Sequence, residues 1–236
     1  MIRPSLLRGA AAEPCRPCLR RLLHAGAAWR QRQQRDPYVR EAARLGYRSR
    51  AAFKLLEMDA KKRLLREGGV ALDLGAAPGS WTQVVLRRRM AVVALDELPM
   101  EPLEGCTVVR GSVGCSAAQA AVLGRLGGLP VDLVLSDISP ARSGLLFCDH
   151  ARLVSILVDV LALARRVLRP GGAVLAKALQ GADHHALVKA ARRFGKVSTL
   201  KPKASRRESA EVYLCVRDFD PGRFDEALDD LRDLAA

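Results

Sequence analysis

The stretch VALDLGAAPGSW, residues 70–81, decides the fold. Its first five residues form a short apolar run, which predicts a buried strand. Small residues follow, including Gly75 and Gly79, and a helical pattern begins near Ser80. A strand that enters a glycine-rich turn and then a helix is typical of nucleotide-type sites, because the backbone can approach a ligand there. The dinucleotide pattern G-x-G-x-x-G is absent and Pro78 stiffens the loop, so NAD is disfavoured.

Short apolar runs alternate with helical patterns along the rest of the chain. The runs lie at residues 70–74, 91–95, 107–109, 131–135, 173–176, 197–200 and 211–216. Helices are predicted at residues 40–45, at residues 51–65 with Ser49 as cap, and at residues 152–168. This alternation predicts an α/β fold with a parallel, doubly wound sheet and helices on both faces. Ligands then bind beyond the carboxyl ends of the strands, where Asp96 is placed to hold ribose hydroxyls.

The composition favours a soluble globular protein that meets a polyanion. Hydrophobic residues make up 49% of the 236 residues. Every mainly apolar stretch of eighteen or more residues contains at least one charged residue. We therefore predict no membrane span and no membrane partner. The formal net charge of +14 favours nucleic acid as the partner, although an arginine-rich proteome or a basic targeting segment is the plainer alternative.

Three regions differ in composition. Residues 1–35 carry eight arginines and one acid, Glu13, and so hold half of the net charge. We predict a mitochondrial transit peptide and a matrix location; a basic arm that contacts RNA and a cytoplasmic location are the alternatives. Residues 36–219 form the main domain and residues 220–236 an acidic tail. Cys15 and Cys18 form a lone C-x-x-C without a complete ligand set, so no metal is predicted.

Several further motifs occur in a fixed order along residues 36–216. They are DPYV at residues 36–39, YRSRAAFKLLE at 47–57, DLGAAPGSW at 73–81, LPM at 98–100, SDISP at 136–140, PGG at 170–172 with Lys177, KP at 201–202, ASR at 204–206 and SAEVY at 209–213. On these motifs the chain resembles the FtsJ/RrmJ family of RNA 2′-O-ribose methyltransferases. The resemblance implies a Rossmann-like methyltransferase fold, with a mostly parallel seven-stranded sheet whose last strand is antiparallel. It also implies S-adenosyl-L-methionine as the methyl donor.

The resemblance also assigns site residues. The family's Lys-Asp-Lys-Glu tetrad falls on Lys54, Asp137, Lys177 and Glu211. The cofactor-binding residues are expected in the loop and at the strand ends that follow it. They are Gly75, Gly79, Ser80, Trp81, Asp96, Ser112 and Asp137. Two positions depart from the family's pattern, with Ser112 in place of the usual Asp and Ala141 in place of the usual Asn.

The chemistry of ribose methylation explains these residue types. A ribose hydroxyl is a weak nucleophile at neutral pH and must lose its proton as it attacks the methyl group in line. We assign Lys177 as the general base and Lys54 as the neighbouring cation that favours the neutral form of a lysine. Asp137 is expected to orient Lys177, and Glu211 to position the hydroxyl or a lysine.

Two basic clusters are candidates for RNA contact. One surrounds the helix that carries Lys54, and the other precedes the last strand; we expect both on the same rim as the tetrad. The predicted contacts are Arg48, Arg50, Lys201, Lys203, Arg206 and Arg207. The basic run at residues 61–63 is placed on the same rim.

The favoured hypothesis is a monomeric enzyme that methylates a uridine ribose of large-subunit ribosomal RNA within a pre-ribosomal particle. One alternative is a catalytically weak family member that serves as a ribosome-assembly or RNA-binding factor, which Ser112 and Ala141 motivate. Another is a ribose methyltransferase for tRNA or for the messenger cap. A small-molecule methyltransferase explains the loop but not Lys54, Lys177 and Glu211 together with the basic rim.

Overall fold

A computed structural model describes residues 35–140, 146–181, 184–206, 209–220 and 222, without the side chains of residues 146–149. The predicted leader and most of the acidic tail lie outside the described residues. So do Cys15, Cys18 and Ala141. The fold and the candidate site are argued from the described residues alone.

Seven strands form one sheet in the order β3-β2-β1-β4-β5-β7-β6. All neighbouring pairs from β3 to β5 are parallel, whereas β7 is antiparallel to both β5 and β6. The predicted mostly parallel sheet with an antiparallel last strand is confirmed. The strands are β1 (Val70–Leu74), β2 (Ala91–Asp96), β3 (Cys106–Arg110), β4 (Val131–Ser136), β5 (Leu168–Leu179), β6 (Lys196–Leu200) and β7 (Glu211–Arg217).

Helices cover both faces of the sheet because its strands are apolar on both sides. On one face, Leu72 of β1 belongs to a buried cluster with Leu157 and Leu187. On the other face, Ala71 belongs to a second cluster with Leu55. The described helices are α1 (Pro37–Arg44), α2 (Ala51–Lys62), α3 (Ser80–Arg87), α4 (Ser116–Leu126), α5 (Leu146–Val167) and α6 (His184–Ala191). Helices α4, α5 and α6 pack in the first cluster, and α2 and α3 in the second.

The predicted elements are present, with differences at their ends. Helix α2 ends at Lys62 rather than at residue 65, because Arg63 takes a left-handed conformation with φ of 52°. The predicted cap Ser49 lies one residue before the N-cap position, although its hydroxyl still accepts a hydrogen bond from the backbone N–H of Ala51 at 3.2 Å. None of the helices in the described part of the chain is long and apolar enough to cross a membrane.

Candidate active site

The sheet brings the predicted catalytic residues to the carboxyl ends of its central strands. Asp137 follows the last residue of β4, and Lys177 lies near the end of β5. Strand β7 runs the other way, so its first residue, Glu211, pairs with Leu179 at the same edge. Lys54 reaches this edge from α2, which covers the face of the sheet.

The four side chains form one connected network. Nζ of Lys177 lies 2.7 Å from Oδ1 of Asp137 and donates to the backbone carbonyl of Asp137 at 2.8 Å. Nζ of Lys54 lies 2.7 Å from Oε1 of Glu211. The second oxygen of Glu211 lies 3.6 Å from Nζ of Lys177. The structure therefore brings together all four residues that the resemblance assigns to the tetrad.

Glu211 stands between the two lysines. Burial alone would raise the pKa of Glu211, but the charges of Lys54 and Lys177 outweigh it and lower that pKa to about 2. The hydroxyl of Ser205 adds a hydrogen bond to Oε1 at 2.8 Å. Glu211 is thus a carboxylate at neutral pH. Lys54 is its nearer partner, at 2.7 Å, whereas Lys177 lies 3.6 Å away; the effect of Lys54 on Lys177 stays a prediction.

Tyr213 belongs to the network and had no role in the sequence-based assignment. Its hydroxyl donates to Oδ1 of Asp137 at 2.7 Å and accepts from Nζ of Lys54 at 3.1 Å. Burial, followed by the charges of Asp137 and Glu211, raises the pKa of Tyr213 well above its usual value. Strand periodicity could have indicated Tyr213, because residues two apart on a strand share a face and Glu211 was already assigned.

The side chain of Trp81 does not line the cofactor loop. It is 3% exposed and packs against Tyr213 with ring centroids 5.6 Å apart. Its indole N–H donates to the backbone carbonyl of Ala51 at 2.8 Å. The indole is therefore turned into the protein, and the cofactor contact of Trp81 stays a prediction. Trp81 joins α3 to α2 beneath the network.

The two loop glycines are required by close contacts with the protein itself. A Cβ at Gly75, where φ is +73°, would lie 2.4 Å from Cγ1 of Ile138. A Cβ at Gly79, where φ is +108°, would lie 2.8 Å from Nη1 of Arg48. Both glycines thus let neighbouring segments of the protein pack closely against the loop. The sequence analysis had explained these glycines by the close approach of a ligand.

The loop keeps groups that suit a nucleoside with an amino-acid chain. Asp96 accepts the backbone N–H of Ala77 at 2.8 Å and that of Leu98 at 2.7 Å. A carboxylate has further lone pairs, which can accept ribose hydroxyls. Burial raises the pKa of Asp96 above its usual value. Helix α3 starts at this loop without a side-chain cap, so its first N–H groups can take an anionic carboxylate.

Ser80 and Ser112, two predicted cofactor-binding residues, lie at the loop and at the end of the neighbouring strand. Ser80 is buried, and its hydroxyl lies 2.7 Å from that of Ser49. Its side chain therefore ties the loop to the start of α2. Ser112 follows β3 at the same edge as Asp96, since the N–H of Gly111 donates to the carbonyl of Asp96 at 2.9 Å. Its side chain is half-buried, and its carbonyl accepts the N–H of Cys115 at 3.0 Å.

Two predicted RNA contacts, Arg48 and Arg50, bind groups of the protein itself. The guanidinium of Arg48 donates to the carbonyls of Pro78 at 2.8 Å, Glu101 at 2.7 Å and Pro102 at 3.0 Å. It thereby joins the cofactor loop to the segment after β2. The guanidinium of Arg50 binds the carboxylate of Asp36 and the carbonyl of Ala204. Both guanidinium groups are therefore bound within the protein, and their contact with RNA stays a prediction.

The second basic cluster remains accessible at the rim. Lys201 and Lys203 are exposed and Arg206 is half-exposed, whereas Arg207 lies outside the described residues. Nζ of Lys201 donates to the carbonyl of Ser209 at 3.0 Å. Glu57 of α2 accepts the backbone N–H of Lys203 at 2.5 Å, which holds this segment over the network. Within the described residues, no group of three or more His, Cys, Asp or Glu side chains is placed to hold a metal ion.

The model of the FtsJ-like methyltransferases matches residues 47–219. This chain belongs to the FtsJ-like methyltransferase family. The matched residues include all four members of the network, Lys54, Asp137, Lys177 and Glu211. Membership confirms the resemblance read from the ordered motifs, and it makes the chain a methyltransferase.

Two relatives and one crystal structure that are similar to this chain are named as ribosomal RNA methyltransferases. A ribosomal RNA large subunit methyltransferase E of Granulibacter bethesdensis is 42% identical over 199 residues, which cover 84% of this chain and 86% of the relative. The protein of that name in an Azoarcus species is 47% identical over 191 residues, covering 79% and 93%. A crystal structure of a Plasmodium falciparum protein, described as a ribosomal RNA methyltransferase, superposes with a TM-score of 0.67 at 27% identity and covers 73% of this chain and 98% of its own.

Proposed function

We propose that this FtsJ-like methyltransferase transfers a methyl group from S-adenosylmethionine to the 2′-hydroxyl of a uridine ribose in large-subunit ribosomal RNA. The observation that carries the proposal is the connected network of Lys177, Asp137, Glu211 and Lys54 beside the glycine loop. The relatives named large subunit methyltransferase E support ribosomal RNA as the substrate class.

The cofactor fits the groups at the loop. The start of α3 offers backbone N–H groups to the carboxylate of the amino-acid part, and Asp96 offers lone pairs to the ribose hydroxyls. When bound, S-adenosylmethionine supplies a methyl group on a positively charged sulfur, which leaves as a neutral thioether.

Lys177 is placed to receive the proton of the ribose hydroxyl. A neutral amine has two N–H donors, and Asp137 supplies two acceptors within 2.8 Å, its Oδ1 and its carbonyl. The third position on Nζ is open, since the nearest oxygen of Glu211 is 3.6 Å away. Its lone pair can therefore face the hydroxyl. As the 2′-oxygen bonds to the methyl carbon, its proton passes to Nζ.

The remaining members of the network hold this geometry. Tyr213 and Lys177 both donate to Oδ1 of Asp137, which fixes the carboxylate in one orientation. Glu211 stays ionised because the cation of Lys54 and the hydroxyl of Ser205 lower its pKa, and its carboxylate holds Lys54 in place. Preorganised polar groups of this kind need little rearrangement during the reaction.

The proposal is tested by locating the transferred methyl group. Purified protein is incubated with labelled S-adenosylmethionine and undermethylated large ribosomal subunits, and the RNA is digested to nucleosides. We expect 2′-O-methyluridine in the product. A base-methylated nucleoside, or label on tRNA alone, would contradict the proposal. Calorimetry with S-adenosylmethionine distinguishes an enzyme from an assembly factor that keeps only the fold.

We further propose that the protein acts as a monomer on a pre-ribosomal particle in the mitochondrial matrix. The support for the location is the arginine-rich, acid-poor composition of residues 1–35. A fluorescent protein fused behind these residues should reach mitochondria. A fusion in which the eight arginines are replaced by glutamine should stay in the cytosol, and equal distribution of the two would contradict the location.

A further inference from the structure

A polar cleft opens at the amino ends of the parallel strands, at the edge opposite to the catalytic network. Its volume is about 70 Å³. Small-molecule pockets are typically about 300–1,000 Å³ and mainly apolar. This cleft is smaller and mostly charged, so it is suited to a surface contact. Its charged lining residues are Lys62, Arg63, Arg66, Arg169, Arg217, Asp132 and Asp218.

The cations of the cleft outnumber its carboxylates, and the carboxylates are already occupied. Oδ1 of Asp132 lies 2.6 Å from Nε of Arg169, and Oδ2 accepts the N–H of Val70 at 2.8 Å. Asp218 lies 2.9 Å from Nζ of Lys196, which stands outside the cleft lining. Neither carboxylate is therefore free to neutralise the remaining cations.

Four cations are left without an ion-pair partner. They are Lys62, Arg63, Arg66 and Arg217, and no carboxylate of the described residues pairs with any of them. Three are exposed, and Lys62 is half-buried. Part of this charge faces the carboxyl end of α2, whose dipole amounts to about half a negative charge. The positive charge of these four side chains is larger than the partial negative charge of that helix end.

The pKa values of the two carboxyls point to the same positive region. The ion pair with Lys196 lowers the pKa of Asp218, and Arg217 and Arg66 lower it further. Burial would raise the pKa of Asp132, but a backbone hydrogen bond and the charges of Arg169 and Arg66 hold it below its usual value. Arg66, which lines the cleft, therefore acts on both carboxyls.

We propose that this basic cleft binds phosphates of the folded RNA that carries the methylated nucleotide, as a second contact remote from the reacting ribose. The inference rests on the proposed function for its partner. Strand β7 runs from Glu211 to Arg217, so the two places are about 20 Å apart along the strand. A short RNA bound at the network cannot reach the cleft, whereas a long folded RNA can pass around the edge of the sheet.

The test compares RNA binding by two charge-matched variants. The cleft variant carries Arg63→Gln, Arg66→Gln and Arg217→Gln. The control carries Arg125→Gln, Lys189→Gln and Arg192→Gln, which remove the same charge from exposed positions in or just after α4 and α6. Dissociation constants are measured over a range of salt concentrations for a long folded fragment of large-subunit rRNA and for a short oligonucleotide with the target nucleotide.

We expect the cleft variant to bind the long RNA about tenfold more weakly, with a salt dependence smaller by about two to three counterions. Its binding of the short oligonucleotide should equal that of the wild type, and the control should resemble the wild type with both. Equal losses in the two variants would overturn the inference, and so would a loss with the short RNA. Large ribosomal subunits are measured as a third ligand, and a loss with these particles but not with the free long RNA would overturn the inference and assign the cleft to an acidic protein face.

Methyl transfer to undermethylated large ribosomal subunits is measured in parallel. If the wild type transfers no methyl group while the cleft still discriminates long from short RNA, the proposed function fails and the cleft stands. If transfer occurs and the two variants bind alike, the cleft fails and the proposed function stands. Thermal unfolding of both variants shows that the substitutions leave the fold intact.

Discussion

At the scale of single residues, Glu211 is the charge that joins the two lysines. Because its pKa falls from 4.5 to about 2 on folding, it stabilises the protein fully above pH 4.5. That contribution is lost as the pH falls toward 2, and it amounts to roughly 3 kcal/mol. We predict that Glu211→Gln lowers the free energy of unfolding at pH 7 and that the difference from the wild type shrinks between pH 4.5 and 2. Urea unfolding at a series of pH values measures it, and a constant difference would contradict the assignment.

Arg48 has hydrogen-bond partners that the sequence did not indicate. Its three hydrogen bonds to carbonyls hold the cofactor loop against the segment at residues 101–102. We predict that Arg48→Ala raises the dissociation constant for S-adenosylmethionine at least about tenfold, because hydrogen bonds from charged groups contribute about 1.5–3 kcal/mol each. Affinity for RNA should not change, and Arg48→Lys should restore part of the cofactor affinity.

The matched control for Arg48 is Lys203→Ala at the accessible rim. It should weaken RNA binding and leave cofactor binding as it is. Calorimetry with the cofactor and anisotropy with RNA separate the two effects. If Arg48→Ala weakened RNA binding alone, the guanidinium would be an RNA contact after all.

The four tetrad positions could be predicted because the ordered motifs mark them. The roles of Arg48, Arg50 and Trp81 could not, because a residue type shows what a side chain can bind and not which partner lies nearest. Three backbone carbonyls from two separate segments converge on Arg48 only in the folded chain. Tyr213 was within reach of prediction from strand periodicity, since it shares a face with Glu211.

At the scale of elements, strand β1 carries a buried carboxyl beneath the cofactor loop. Asp73 accepts a hydrogen bond from the hydroxyl of Thr82 in α3 at 2.6 Å. Burial raises its pKa from 3.8 to about 7, although the bond from Thr82 opposes this. Between these values the folded protein holds a proton that the unfolded chain has released. The raised pKa therefore costs stability as the pH rises from 3.8 through 7.

We predict that Asp73→Asn removes this pH-dependent loss. The amide oxygen can still accept from Thr82, so the contact between β1 and α3 persists. Relative to the wild type, the variant should gain unfolding free energy as the pH rises from 4 to 7. Chemical unfolding at each pH measures the difference. A difference that is independent of pH would show that Asp73 is ionised throughout.

The strand centres were predictable because short apolar runs between turns fit buried strands. The position of the basic run at residues 61–63 could not be predicted from the sequence. A helix rises about 1.5 Å per residue, so Lys54 and Arg63 are roughly 14 Å apart along α2. One end of the helix meets the catalytic network, while Lys62 and Arg63 reach the opposite edge of the sheet. Nearness in sequence therefore did not place the two groups on one rim.

At the scale of the whole molecule, positive charge lies at two edges of the sheet. Lys201, Lys203 and Arg206 stand near the network, and the unpaired cations of the cleft stand at the other edge. The net charge predicts a polyanionic partner, but it does not show that the positive charge is divided between two edges of the sheet. The sheet order and the direction of β7 create this division.

The central claim is that Lys177 takes the proton from a ribose hydroxyl of large-subunit rRNA. The most direct measurement is the single-turnover rate of labelled methyl transfer to this RNA by Lys177→Ala, with Lys189→Ala as the control on an exposed face of α6. We predict a fall of about 10²–10⁴-fold for Lys177→Ala, with unchanged cofactor affinity, and a wild-type rate for the control. Equal rates for the two variants would contradict the account.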